Sequence, residues 1–211
     1  GFSVAPIGPA IDANVRRVGV AGISLVTIDG RVVAASPNSP PVEGPLAEFL
    51  ADAPRGEPAI KDVYLDQTGA PAMAFAVPLY AIQGGTAATS QIGWVLGVKQ
   101  VAVELYPLLR QPGSVWPSAE ILLVRKNGNM IEYLSPTQEG EAPLARRFAA
   151  DTPDLAARFA LEKPGGFAVK RDYLGEPSLV TSRALANVPW SLVRKISQAE
   201  ALSGTETRLK T

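Results

Sequence analysis

The sequence contains neither histidine nor cysteine in its 211 residues. That removes imidazole and thiolate together, and with them the thiol nucleophile, the histidine-based triad and zinc sites of the usual ligand types. Neither sign of charge is in excess, since 20 Lys and Arg balance 20 Asp and Glu. Residues 1–112 carry 7 basic and 9 acidic side chains and residues 113–211 carry 13 and 11, so neither half is basic enough to read as a nucleic-acid binder. No apolar run approaches the length of a membrane span. The opening Gly1-Phe2-Ser3 does not read as a signal peptide, so a membrane-attached protein would contain this chain as a piece. Lack of cysteine fits an extracytoplasmic bacterial protein and fits many cytosolic domains as well.

Catalytic signatures are also missing. Gly84-Gly85 is not followed by the Lys-Ser/Thr of a phosphate-cradling loop, and neither Ser-x-x-Lys nor Gly-x-Ser-x-Gly occurs. Asp62 and Asp66 would share a face of one extended strand about 13 Å apart, wider than the about 5 to 9.5 Å between glycosidase carboxylates. No enzyme activity is expected within these residues, and the catalytic, metal and cofactor sets are empty.

What the chain does contain is a pattern stated twice. Trp94, Leu96, Lys99 and Glu104 return as Trp190, Leu192, Lys195 and Glu200, the same types at the same spacing 96 positions later. Each copy is preceded by an Asp-x-x-Gly-x-Pro turn, beginning at Asp66 and at Asp172, and further back Asp29-Gly30 matches Asn127-Gly128. Such dipeptides supply the positive φ of a two-residue hairpin turn. The repeat predicts one module in two copies. It places Trp94 and Trp190 at the same module position, which argues for structure more than ligand contact. Lys99, Lys195, Glu104 and Glu200 read as exposed or locally paired residues at a strand-to-helix junction, where such pairs contribute little.

Taken in order, residues 1–19 hold a short amphipathic stretch, and 21–28 and 31–36 form a hairpin. Residues 45–52 read as a helix, with Leu46, Phe49 and Leu50 at helical spacing and Pro45 in the first turn. Strands follow at 59–66, 71–82 and 91–101, with a Gly/Thr/Ala loop at 83–90, a helix at 103–110 and a linker from 111. The second copy repeats the order: strands at 119–126 and 129–135, helical pieces at 143–150 and 154–160 with Asp154 as a cap of the latter, and strands at 167–173, 177–186 and 190–197. A closing helix covers 198–210. Each copy is β-β-α-β-β-β, an antiparallel sheet with helices on one face, so the chain is α+β with two tandem PAS-like modules.

On strand 71–82, Met73, Phe75 and Val77 alternate with Ala72, Ala74 and Ala76. The alanines, with Gly93 and Gly97, leave room for a close helix. The opposite side, with Phe75 and Trp94, reads either as pocket lining or as ordinary core. Arg171, Arg183 and Arg194 read either as a gathered anion site or as separate arginines on a partly solvated face.

Three stretches of the first half carry a family resemblance: residues 61–69 (KDVYLDQTG), 75–78 (FAVP) and 93–97 (GWVLG). In the second half it rests on residues 171–177 (RDYLGEP), Arg183, residues 189–196 (PWSLVRKI) and Glu200-Ala201. From about residue 20 the chain resembles the double Cache sensor domains, the first stretches their membrane-distal module and the second their membrane-proximal one. The resemblance implies the extracytoplasmic small-molecule-sensing part of a bacterial transmembrane receptor, foremost a sensor histidine kinase, otherwise a diguanylate cyclase, phosphodiesterase or chemoreceptor. It implies a periplasmic position in an inner-membrane protein tethered through segments outside this chain, and a homodimer in the full receptor. The alternative is a structural or dimerising interaction module that binds no small ligand. The implied boundaries are an N-terminal helical segment 1–19, a distal module 20–111, a linker 112–117, a proximal module 118–197 and an exit helix 198–211 toward a membrane span. The long N-terminal helix of the family is missing or reduced to residues 10–18.

In amino-acid-binding members a Tyr-x-Asp closes the third strand, its Asp holding the ligand amine, and Tyr64-Leu65-Asp66 matches that element. The family's Arg-x-Trp is absent from the helical region, and no acid lies between Asp66 and Glu104. An ammonium buried with one carboxylate is poorly compensated, so the expected ligand is neutral or a carboxylate rather than an amino acid. Asp66 equally reads as the start of its turn, as Asp172 does. The candidate ligand contacts are Tyr64, Asp66, Met73, Phe75, Trp94 and Arg55.

Overall fold

The computed structural model describes residues 20–81, 90–110, 115–186 and 188–209, with side chains as far as residue 203. The expected N-terminal segment 1–19, most of the loop at 83–90 and part of the linker lie outside them. The chain divides into two units, one through Glu104 and one from Leu105 on.

In the first unit the elements are β1 (Gly22–Thr27), β2 (Val32–Ala35), α1 (Pro45–Asp52), β3 (Ala59–Leu65), β4 (Pro71–Tyr80), β5 (Gln91–Gln100) and α2 (Val101–Glu104). The strands pair antiparallel in the order β2-β1-β5-β4-β3. Alternation along β4 decides where the helix goes. Ala72, Ala74 and Ala76 are at most 1% exposed and pack with Leu46 and Leu50 of α1 and with Trp94, Leu96 and Val98 of β5. A methyl-sized surface lets α1 approach, and each buried leucine contributes roughly 1.5–3 kcal/mol. Pro45 opens α1 in the first turn, where its missing N–H is no loss.

β3 departs from plain alternation. Its register shifts between Lys61, opposite Ala74, and Tyr64, opposite Ala72, so two residues oppose one on β4. This bulge puts Lys61 and Tyr64 on the same, helix-facing side, where simple alternation would separate them.

The second unit contains α3 (Tyr106–Leu109), β6 (Glu120–Asn127), β7 (Met130–Tyr133), β8 (Arg147–Ala149), α4 (Ala156–Glu162), β9 (Phe167–Arg171), β10 (Pro177–Ala184), β11 (Trp190–Ser197) and α5 (Gln198–Leu209). Its order, β8-β7-β6-β11-β10-β9, is that of the first sheet with one strand added. The added strand replaces the helix expected at 143–150. Phe148 pairs with Ile131 and meets Tyr133 edge-on at 6.0 Å, so its ring is satisfied by the sheet edge. Asp154 does not cap α4: it adopts φ 56°, Leu155 holds the cap position, and the Asp154 carboxylate pairs with Lys170 at 2.8 Å. The single helix expected at 103–110 is two short ones, α2 and α3, parted at Leu105.

β11 runs into α5 with no residue between them. Ser118 fastens that corner: its N–H and hydroxyl both donate to Glu200, and its oxygen accepts from the N–H of Ser197 at 2.9 Å.

Strand pairing corrects the repeat. Ala74 lies opposite Val98, and its counterpart Val180 lies opposite Lys195; likewise Ala76 faces Leu96 and Ser182 faces Val193. The equivalent positions of β5 and β11 are therefore 97 residues apart, not the 96 of the matching letters. One residue of slip turns a strand over. Trp94 and Leu96 face α1, whereas Ser191, Val193 and Lys195 face the α4 side and Trp190 faces the other.

Candidate functional site

Tyr64 and Asp66 come together at the end of β3. With Glu43, Leu46, Gln67, Thr68, Pro40 and Pro41 of the loop leading into α1, and Pro45 at its start, they line a cleft of about 90 Å³. That volume suits a head group, since pockets for whole drug-sized ligands run about 300–1,000 Å³.

Asp66 performs the turn role. Its Oδ1 accepts from the N–H of Thr68 at 2.8 Å, the Thr68 hydroxyl at 2.6 Å and the N–H of Ala70 at 3.0 Å. Partial burial acts to raise the pKa of this carboxyl, but those hydrogen bonds outweigh it and hold the group below the ordinary 3.8. Oδ2 has no partner among the described residues. The Tyr64 hydroxyl is buried and also unpartnered among the described residues. Burial, reinforced by the charge of Asp66, pushes its pKa up to about 12, so it remains a donor. An orphaned polar group of this kind costs about 1–3 kcal/mol unless something accepts from it.

Two aromatic contacts brace the back of the site. The Lys61 ammonium lies 5.3 Å from the Tyr64 ring centroid and 5.9 Å from that of Phe49 on α1. The bulge in β3 makes this stack available.

The second unit fills the corresponding place with its own side chains. Asp172 Oδ1 accepts from the N–H groups of Leu174 and Glu176, as Asp66 Oδ1 does in its turn. Its Oδ2 is occupied by Lys195 at 2.8 Å, and Lys195 also reaches Glu120 at 3.3 Å. Tyr173 donates to Glu120 at 2.9 Å and presents its ring 4.6 Å from the ammonium. Lys195, read from the repeat as exposed or locally paired, is thus paired but buried, and with partners far along the chain. Lys99 instead pairs with Glu104 at 2.6 Å with both side chains about a third exposed.

The remaining candidates lie elsewhere. Trp94 is buried and walls a different cleft of about 290 Å³, between the β1–β2 hairpin and α1, with Asp29, Val42 and Leu50. Met73 and Phe75 are on the face of the sheet away from α1, with Phe75 opposite Gly97. Arg55 is exposed after α1 and lines neither cleft. Glu43 and Lys61 were not among the sequence candidates. Glu43 belongs to a proline-rich loop whose return to the Asp66 turn, marked by Gln67 donating to Glu43 at 3.3 Å, has no local signature. Lys61 is hidden by the bulge.

Among the described residues no group of three or more acidic side chains is arranged to hold a metal ion, and no helix is long and apolar enough to cross a membrane.

No family model matches the chain, and no curated protein matches it. Solved structures do. The extracellular domain of rpHK1S-Z16, described as a putative histidine kinase, aligns over 96% of this chain and 81% of its own at 14% identity, with a TM-score of 0.64. The ligand-binding domain of the Pseudomonas aeruginosa amino acid chemoreceptor PctB, in complex with L-Arg, aligns over 100% and 79% at 16% identity, with a TM-score of 0.63. The sensor domain of the V. cholerae histidine kinase DctB aligns over 92% and 79% at 12% identity, with a TM-score of 0.56. At these identities the likeness is one of fold, and it extends over both units.

Proposed function

We propose that this chain is the extracytoplasmic ligand-sensing part of a bacterial transmembrane receptor, and that the cleft between α1 and the Asp66 turn receives the ammonium group of a small amine or amino acid. The observation that carries the reading is the contrast between the units. The turn carboxylate of the second has its cation built in, as Lys195, and that of the first has Val98 at the equivalent position and an unused oxygen.

Glu43 alters the ligand expected from sequence. No acid follows Asp66 along the strands, but Glu43 reaches the same cleft from the loop before α1. A carboxylate ligand would meet two like charges in the lining, the nearby cation Lys61 being stacked on the Tyr64 ring and not itself part of that lining, whereas an ammonium would have Glu43 and Asp66 as counter-ions. The Tyr64 hydroxyl adds a donor for an acceptor elsewhere on the ligand, and the prolines and Leu46 supply apolar contact. The amino acid chemoreceptor among the structural neighbours is compatible with this class.

In the full protein, a ligand module over residues 20–111 and a second module over 118–197, joined by 112–117, would pass the bound state to α5 and on to a membrane-anchored output. The neighbours favour a histidine kinase or a chemoreceptor as that output, and we set that receptor in the inner membrane as a homodimer with this part in the periplasm. A ligand acts only through different affinity for two states.

The test is isothermal titration of the purified chain with matched series of amines, α-amino acids and the corresponding carboxylates. Saturable binding confined to compounds bearing an ammonium, and lost in Asp66→Asn, supports the reading. Binding of the carboxylates alone would overturn it.

A further inference from the structure

The two sheets have four edge strands, and three are blunted. β8 is three residues long, β2 is four residues long beside a register shift, and β3 carries its bulge. These are the usual devices that stop an edge from pairing with another chain. β9 has neither bulge nor proline: five residues, Phe167 to Arg171, pair with β10 in unbroken register, and what guards this edge, Lys170 with Arg171 and its bridge to Leu155, is confined to its C-terminal end. Phe167 is 71% exposed and Val169 46% exposed.

The chain itself begins a ladder on this edge and then leaves it. The N–H of Arg171 donates to the carbonyl of Asp154 at 2.9 Å, and Leu155 forms a parallel bridge to Arg171 before α4 starts. By alternation the N–H and C=O of Val169 and Phe167 point to the same open side, and no backbone partner meets them among the described residues. Alongside lies a groove of about 390 Å³ between α4 and β9, lined by Arg158, Phe159, Lys163, Ala168 and Lys170 among others.

Charge selects what would fit. Arg158 and Lys170 are already paired, with Glu162 and Asp154, which leaves Lys163 as the unneutralised charge of the groove. On the other face of the sheet Arg183 and Arg194 have no acidic partner among the described residues. Arg194 lies opposite Thr181, which in turn lies opposite Phe167, so one row carries an exposed ring and a free guanidinium. A second copy of β9 would bring Lys163, Arg171, Arg183 and Arg194 toward their duplicates.

We propose that β9 is a docking strand: an extended acidic segment of a partner protein adds to its free edge, continuing the ladder begun at Arg171, with alternate side chains in the α4 groove and beside Phe167. Main-chain hydrogen bonds supply affinity in such strand addition, and alternate side-chain sites supply specificity. The site lies wholly in the second unit and is independent of the ligand cleft.

The probe is a fluorescein-labelled peptide of about eight residues, an ordinary strand length, alternating valine and glutamate, with a valine–lysine peptide as control. Anisotropy titrations against the 211-residue chain should show the acidic peptide binding at least about tenfold more tightly and weakening with salt. Lys163→Glu should remove most of that preference. N-methylating the peptide at alternate amides tests the ladder without altering the protein: one alternate set should abolish binding and the other leave it intact. Equal binding of the two peptides, or indifference to methylation in both sets, would overturn the proposal. So would a dimer in sedimentation that Phe167→Ser dissociates and the peptide does not, since that assigns the edge to a second copy.

Discussion

Val98 and Lys195 occupy the same place in the two sheets, each opposite the corresponding residue of the neighbouring strand, Ala74 or Val180. In one unit the position is apolar and the nearby turn carboxylate keeps a free oxygen; in the other it supplies the ammonium that closes a buried cluster. Lys195→Met should therefore leave Asp172 and Glu120 buried without their cation and cost about 3–5 kcal/mol in urea unfolding. Lys99→Met, which breaks only the exposed pair with Glu104, should cost less than about 1 kcal/mol.

Tyr64→Phe should separate stability from binding. Removing an unpartnered buried hydroxyl relieves a desolvation penalty, so the variant should be as stable as the parent or more stable by up to about 1 kcal/mol, read as a higher Tm. Ligand affinity should fall by about tenfold with the loss of that donor. A destabilised variant would show that the hydroxyl is satisfied in solution.

Asp66→Asn keeps an oxygen able to accept the three turn hydrogen bonds and removes the charge. It should cost less than about 1.5 kcal/mol of stability while reducing affinity for an ammonium ligand by tenfold or more, about 1.4 kcal/mol. Asp66→Ala should lose both.

Two pH windows follow from the same pair. The folded-state pKa of Asp66 is lowered, so its stabilising contribution is present above 3.8 and lost as pH falls below that value. The Tm advantage of the parent over Asp66→Asn should shrink only in that acid range. The Tyr64 pKa is raised from 10.0 to about 12, so its contribution is intact below 10.0 and lost as pH climbs toward 12. Tyr64→Phe should resist that alkaline loss.

Gly93 is required by close approach. A Cβ there would stand 2.2 Å from the Val26 carbonyl oxygen and 3.1 Å from the Cα of Thr27, both backbone, so β1 and β5 would have to part. Gly93→Ala should cost about 1–3 kcal/mol. At Gly97 the nearest atom is Val20 Cγ1 at 3.8 Å, an ordinary contact, and Gly97→Ala should be tolerated in the same melts.

Much of the fold was legible because the local signals agree. Helix α1 begins and ends as its leucine spacing and Pro45 indicate, and the alanine face of β4 does receive it. What sequence could not supply was strand parity. Matching letters aligned Lys99 with Lys195, yet strand pairing is blind to letters and follows hydrogen bonds, which align Val98 with Lys195 instead. Alternation also failed where a strand gains a residue, and so Lys61 was missed beside Tyr64. Alternation correctly set Met73 and Phe75 opposite the alanines, but it carries no information about which side holds the cleft, and Trp94, expected beside Phe75, lies on the alanine side instead. Glu43 is brought in by packing of a loop, a contact of long sequence separation that no local pattern encodes.

The corner at Ser118 has a mechanical consequence. With β11 joined directly to α5 and both held to one serine, a tilt of the strand has no loop in which to dissipate. The 12 residues of α5 extend about 18 Å. A rotation of about 5° at the corner therefore displaces the far end by about 1.6 Å by lever geometry, an amplitude comparable to the helix shifts of about 1–2 Å by which proteins switch between states.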